Sequence, residues 1–275
     1  MAIKDLLVHV STEADAKPVV DAALTLAAAN DAHVIGIGIR PPLDFPSYAA
    51  ARLPDSVVEL LEKREDDRLQ AAREMFEARA KRAGREDRCE WRSDIGIVEE
   101  TLGLHARYAD LTVVPQPNPE AMDKRFTNLA EDMLMTAGRP VLIVPYIGAP
   151  ETIGKRAIVA WNASREAARA VADAMPLLEQ AEKVEVFAGG DQGIGDLPGA
   201  DIATHLARHA IDVTVFRNVT DELSVSETLF NRVANMQADL IVMGGYGRSR
   251  FREFVLGGVT RDVLQHMTVP VLMSH

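Results

Sequence analysis

The chain is poor in cysteine, in aromatics and in positive charge. Cys89 is the one cysteine among 275 residues, so no intramolecular disulfide can form and a disulfide-stapled scaffold is excluded. Aromatic side chains make up 5% of the chain, and no apolar run approaches the ~18 residues that a membrane-spanning helix needs. Lys and Arg number 30 against 41 Asp and Glu, a net charge of −11. That balance argues against a general nucleic-acid binder, because affinity for a phosphate backbone comes from clustered cations. The opening residues, Met1-Ala2-Ile3-Lys4-Asp5, lack the basic-then-apolar layout of a secretory signal. These absences set the expectation of a soluble, cytoplasmic protein with neither membrane nor nucleic acid among its partners. What remains is ordinary globular material, 47% hydrophobic and 26% charged, long enough for two domains of roughly 100–200 residues each.

The chain also repeats itself, and a long internal period constrains architecture before any local reading does. Asp5-Leu6-Leu7-Val8-His9-Val10 is a short apolar run followed by an alanine-rich amphipathic segment over 16–30. Arg156-Ala157-Ile158-Val159-Ala160-Trp161 plays the same part about 150 residues later, followed by Asn162-Ala163-Ser164 and a helical segment to about residue 182. Further on, Ala109-Asp110-Leu111-Thr112-Val113-Val114 matches Ala238-Asp239-Leu240-Ile241-Val242-Met243, and Pro140-Val141-Leu142 matches Pro270-Val271-Leu272, at offsets of 129 and 130 residues. Two copies of one domain, 1–148 and 149–275, joined near Tyr146–Glu151, account for the preserved order.

Within each copy, short apolar runs alternate with helical patterns, the signature of right-handed βαβ units and a parallel sheet covered on both faces. The second copy reads as strands near 156–161, 183–188, 211–216, 239–243 and 269–273, with helices near 164–181, 199–209, 224–237 and 258–267. The first copy adds a long helix from about Pro54 to Ala83, with Leu69, Ala72, Phe76, Ala80 and Ala83 at helical spacing and a solvated, charge-rich outer face. The fold class is therefore α/β: two tandem Rossmann-like domains, each a five-stranded parallel sheet flanked by helices. The final strands, 141–144 and 271–273, are apolar edges that need covering, so the two copies are expected to pair through them as an intramolecular pseudo-dimer. A homodimer of the whole chain is a further expectation.

One glycine constellation carries chemistry. The strand ending at Met243 runs into Gly244-Gly245-Tyr246-Gly247-Arg248-Ser249-Arg250-Phe251-Arg252-Glu253-Phe254-Val255-Leu256-Gly257-Gly258-Val259-Thr260, a Gly-x2-Gly-x9-Gly-Gly skeleton that leads into a helix. Glycines at a strand's carboxyl end let backbone N–H groups approach an anion with no Cβ in the way. A helix starting at Gly257-Gly258 adds unpaired N–H groups and its positive dipole end. Two such cradles at one strand end suit a polyphosphate. The alternative is that the glycines only permit a tight strand-to-helix connection. Arg248, Arg250 and Arg252 either neutralise a triphosphate or form a solvated basic turn.

These residues resemble the universal stress protein family, whose nucleotide-binding members carry Gly-x2-Gly-x9-Gly followed by Ser or Thr. The resemblance extends over both copies, through Val159-Ala160-Trp161-Asn162-Ala163-Ser164 and the Pro-Val-Leu closing strands. It implies the adenine nucleotide alpha hydrolase-like version of the fold. It further implies that Ala160, Asn162 and Phe187 surround an adenine base, and that Met243, Gly244, Tyr246, Gly247, Arg248, Gly257, Gly258, Val259 and Thr260 line the ribose and phosphates. The implied ligand is ATP or a related adenine nucleotide, accompanied by Mg2+, bound by a regulatory protein of the stress response. The chain departs from the family pattern at Gly258, where Ser or Thr is usual, and at Asn162, where Asp is usual. A hydrogen bond to a charged group is worth roughly 1.5–3 kcal/mol, so the missing hydroxyl implies weaker phosphate binding. Thr260 either replaces that hydroxyl or is an ordinary helix residue.

The matching stretch of the first copy, Pro115-Gln116-Pro117-Asn118-Pro119-Glu120-Ala121-Met122-Asp123-Lys124-Arg125-Phe126, has no glycine. Its prolines remove N–H donors and its acids repel phosphate, so the first copy is expected to lack the site. Elsewhere, Gly189–Gly195 with Gly199 has the wrong spacing for a dinucleotide fingerprint, and His205 and His209 lack a third zinc ligand. Ser164 reads as a helix cap, and Cys89 as inert. No Walker motif, HExxH or G-x-S-x-G occurs, and no general base is evident near the glycines. The competing functions are a nucleotide-free interaction scaffold and a slow ATPase or hydrolase of a phosphorylated metabolite.

Overall fold

A computed structural model describes residues 2–12, 16–43, 53–117, 128–188, 199–217, 223–246 and 258–275. The first half runs β1 (Asp5–His9), α1 (Ala16–Asn30), β2 (His33–Arg40), α2 (Asp55–Arg82), β3 (Cys89–Ile95), α3 (Val98–Ala106), β4 (Leu111–Pro115), α4 (Leu129–Thr136) and β5 (Val141–Val144). The second runs β6 (Arg156–Trp161), α5 (Arg165–Leu178), β7 (Lys183–Ala188), α6 (Ala200–Arg208), β8 (Val213–Arg217), α7 (Val225–Met236), β9 (Leu240–Gly244), α8 (Val259–His266) and β10 (Val271–Ser274).

All ten strands form one sheet, in the order β3-β2-β1-β4-β5-β10-β9-β6-β7-β8. Counted within its own half, each set of five has the doubly wound order 3-2-1-4-5, with every pair parallel. The halves meet where β10 pairs antiparallel with β5, Leu272 opposite Leu142. Leu142, Ile143, Val271 and Leu272 are all fully buried there. A fully buried aliphatic side chain contributes roughly 1.5–3 kcal/mol, which explains why these short edges do not stand open.

Alternation along the strands sends residues to two cores, one on each face of the sheet. Leu6, Val8, Ala157 and Val159 pack on one side, and Leu7, Ile158, Ile241 and Met243 on the other. The long helix α2 buries Ala72, Phe76 and Ala80 and leaves its charges outward. Phe76 lies so close to β2 that a Cβ at Gly36 would come within 2.8 Å of its ring, so only glycine fits there.

Several boundaries differ from the sequence expectation for identifiable reasons. The third strand of the second half starts at Val213 rather than 211, because Ala210 turns left-handed (φ 61) and the N–H of Ile211 still bonds back to Leu206. Helix α5 stops at Leu178, after which Gln180 and Ala181 bond three residues back to Leu177 and Leu178 in a tightened last turn. The closing strand starts at Val271, directly after Pro270, which has no N–H to offer a ladder.

Candidate functional site

In a doubly wound sheet the connections from neighbouring strands diverge at one place, and a crevice opens outside the strands' carboxyl ends. In the second half that place lies between β6 and β9, where Ala160 is in register with Met243. Around it the sequence supplies little side-chain bulk: Ala160 on β6, then Gly244 and Gly245 where β9 ends.

Gly244 is demanded by packing. A Cβ there would lie 2.5 Å from the backbone nitrogen of Ala167 and 2.6 Å from the carbonyl carbon of Glu166, in the first turn of α5. Glu166, buried at this contact, is neutralised by the guanidinium of Arg165. Gly245 donates its N–H to the carbonyl of Ser274 at 2.9 Å and extends the β9–β10 ladder.

The loops after β6 and β9 share an unusual backbone. Ala163 (φ 58) and Tyr246 (φ 53) are both left-handed without being glycine. The other such residues among those described, Asp31, Ala210 and Gln237, follow the ends of α1, α6 and α7, where left-handed termination is ordinary. Ala163 and Tyr246 have no helix end to explain them. Strained conformations of this kind cost roughly 1–3 kcal/mol and cluster at ligand sites.

Helix α8 begins beside this turn. Gly258 is its N-cap (φ −66, ψ 144) and offers no side-chain cap. The N–H groups of Val259 and Thr260 in the first turn have no intrahelical acceptor. The buried Thr260 hydroxyl faces the backbone N–H of Tyr246 at 3.5 Å, tying the loop to the helix start. Asp262 receives a hydrogen bond from Ser226 at 3.0 Å.

The structure thus brings Ala160, Met243, Gly244, Tyr246, Gly258, Val259 and Thr260 to one end of the sheet. Met243 is buried, and Val259 packs against the core. Asn162 is exposed at the same end and its side-chain oxygen accepts the Ser164 N–H at 3.1 Å. Phe187 is 1% exposed and its ring stacks on Phe216 with centroids 5.8 Å apart, so its side chain belongs to the core. Phe216 is covered in turn by Arg232, which grips the buried Glu185 through bonds of 2.9 and 2.5 Å. Gly247, Arg248, Gly257 and the other two motif arginines lie outside the described residues, as does Gly189–Gly195.

Of the remaining candidates, Ser164 caps α5 by accepting the Ala167 N–H at 3.1 Å. Gly199 starts α6 with φ 84. His205 and His209 meet edge to face, with His209 3.9 Å from Glu179. Among the described residues no group of three or more His, Cys, Asp or Glu gathers to hold a metal. Burial pushes the Cys89 thiol up, which keeps it protonated and unreactive.

Three features escaped the sequence reading. His9 holds the position in β1 that Ala160 holds in β6, since Leu6 pairs with Leu111 as Ala157 pairs with Leu240. Its imidazole is 4% exposed, and burial lowers its pKa to about 4, so it is neutral. Gln116 stands at the position of Gly245. It is 1% exposed and donates to the carbonyls of Leu264 (2.8 Å) and Gln265 (3.2 Å) near the end of α8, while accepting the Tyr146 N–H at 3.2 Å. The repeated aspartates are anchors: Asp239 accepts from Thr152, Gly154, Lys155 and Arg156, and Asp110 from the N–H groups of Lys4 and Asp5. The repeat pointed to these aspartates without indicating their role.

The strand order defines a tandem of two doubly wound units. Residues 158–275 match the universal stress protein family. A crystal structure of a universal stress protein from Archaeoglobus fulgidus is 15% identical, with 98% of this chain and 97% of that chain covered, at a TM-score of 0.71. A functionally unknown protein from Pseudomonas aeruginosa is 15% identical over 99% of this chain and 92% of that one, at a TM-score of 0.56. These likenesses extend the same fold over the first half. A universal stress protein in complex with cAMP matches 52% of this chain and 98% of its own at 23% identity and a TM-score of 0.39. Among curated proteins, none matches the sequence. Among the described residues, no helix is long and apolar enough to cross a membrane.

Proposed function

We propose that the chain is a cytoplasmic regulatory binder of the stress response that takes one adenine nucleotide, ATP or a close relative, in the crevice between β6 and β9. Each half is read as a domain, 1–148 and 149–275, joined as a pseudo-dimer through β5 and β10. The observation that carries the nucleotide reading is the pair of left-handed loop residues, Ala163 and Tyr246, that follow β6 and β9 at the switch point, with Tyr246 tied to the first turn of α8. The first turn of α8 supplies N–H groups and a positive dipole end for phosphate oxygens. The described residues offer no carboxylate set for Mg2+, so a metal arriving with the nucleotide would rest on its phosphates and water. The arrangement favours holding a ligand over turning it over. The test is mass spectrometry of ligand released from the purified protein, together with titration of ATP. Release of an adenine nucleotide, or saturable ATP binding, is the expected result. A protein that carries none and binds none would overturn the reading.

A further inference from the structure

We propose that the outer face of α3 is a homodimer surface, on which α3 of a second copy lies antiparallel across a twofold axis. Three apolar side chains along this helix and its flanks are turned to solvent: Ile97 is 47% exposed, Leu104 55% and Tyr108 83%. Leu104 lies on the helix itself, Ile97 is its N-cap and Tyr108 follows its C-cap Arg107, so exposed apolar side chains mark the helix from end to end. Met135, 41% exposed on the neighbouring α4, borders it where Thr136 packs on Gly103. Among the described residues the second half carries no such stripe. Matching the buried Leu102 and Ala106 of α3 to Leu229 and Val233 of α7 sets Leu104 and Tyr108 opposite Asn231 and Asn235, both exposed. Solvation suffices for asparagine there, whereas contiguous exposed apolar side chains mark a contact surface.

The charges beside the stripe identify the occupant. Glu100 and Arg107 lie on the same flank, two turns or about 10.5 Å apart, too far to pair within the helix. Among the described residues neither side chain has an ion-pair partner. Their midpoint lies level with Leu104. An antiparallel copy related by a twofold axis there brings Glu100 against Arg107 of the partner subunit, twice by symmetry. The same axis sets Leu104 on its own mate and Ile97 against Tyr108 of the partner subunit. A surface complementary to itself in both shape and charge is what an isologous dimer requires. A parallel arrangement would put the two charged flanks on opposite sides of the contact, where neither charge meets its complement. The proposal is independent of nucleotide binding.

Sedimentation equilibrium of the full chain over a range of concentrations tests it. Wild type is expected to dimerise, and Glu100→Arg or Arg107→Glu to raise the dimer Kd at least about tenfold by opposing like charges. Both positions are exposed, so neither change threatens the fold. Mixing the two variants in equal amounts should restore wild-type affinity, because each mixed dimer then pairs opposite charges at both contacts. Wild type that stays monomeric, single variants that dimerise unchanged, or a mixture no tighter than its components would each overturn the proposal.

Discussion

The switch point between β1 and β4 and the switch point between β6 and β9 are built from the same strands in the same order, yet their strand ends carry different residues. Where the second half has Ala160, the first has a buried imidazole, His9. Where the second has Gly244-Gly245-Tyr246, the first has Pro115-Gln116-Pro117. The two prolines cannot donate N–H groups to an anion, and Gln116 spends its amide on the end of α8 from the other half. Strand order therefore creates the opportunity for a ligand site, and the residues at the strand ends determine whether it is kept. In the first half the place has become part of the joint between halves. In the second it retains the strained, glycine-bordered turn that ligand sites use.

Four substitutions would break or sharpen that contrast. The largest effect is expected at the anchors. Asp239→Ala orphans three backbone N–H groups and the Thr152 hydroxyl, whereas Asp110→Ala orphans two N–H groups. Hydrogen bonds to a charged group being worth roughly 1.5–3 kcal/mol less what water returns, the losses should be about 4 and about 2 kcal/mol in chemical denaturation. Equal losses would mean that the second half is not held more firmly at this point.

The next effect is a pH dependence confined to the first half. Folded His9 takes a proton only near pH 4, while in the unfolded chain it does so near 6.5. Between those values only the unfolded state is protonated, so the neutral ring's contribution is whole above pH 6.5 and declines as pH falls toward 4. The decline amounts to about 3 kcal/mol. His9→Leu should remove that part of the slope in denaturation series at successive pH values, and an unchanged slope would show that the ring is not buried neutral.

The smallest effect is expected in binding. Ala160→His places the first half's imidazole in the second crevice, and overpacking by about 1–3 kcal/mol should weaken ATP roughly tenfold to a hundredfold in titration. Unaltered affinity would place the ligand elsewhere.

Much of the fold could be read from local pattern. The apolar runs and the 3.6-residue spacing of Ala72, Phe76 and Ala80 located strands and helices, and Ser164 capped the helix expected of it. The apolar edges at 141–144 and 271–273 indicated a pairing that the structure contains. The crevice was legible only where glycine chemistry signals it. His9 looked like one more residue ending a strand, because its burial depends on everything packed above it. Gln116 sat in a proline-rich stretch, and its partner at Leu264 is 148 residues away. Phe187 was expected beside a base, but strand alternation turned its ring into the core against Phe216. Gly244 was taken for an anion cradle, and its close approach is to the start of α5.

The most direct test of the account is the stoichiometry of ATP binding to the full-length chain by isothermal titration calorimetry. One nucleotide per chain is predicted, since the strand ends of the second half carry Ala160, Gly244 and Gly245 where those of the first carry the buried His9, Pro115 and Gln116. Two per chain, or none, would contradict it.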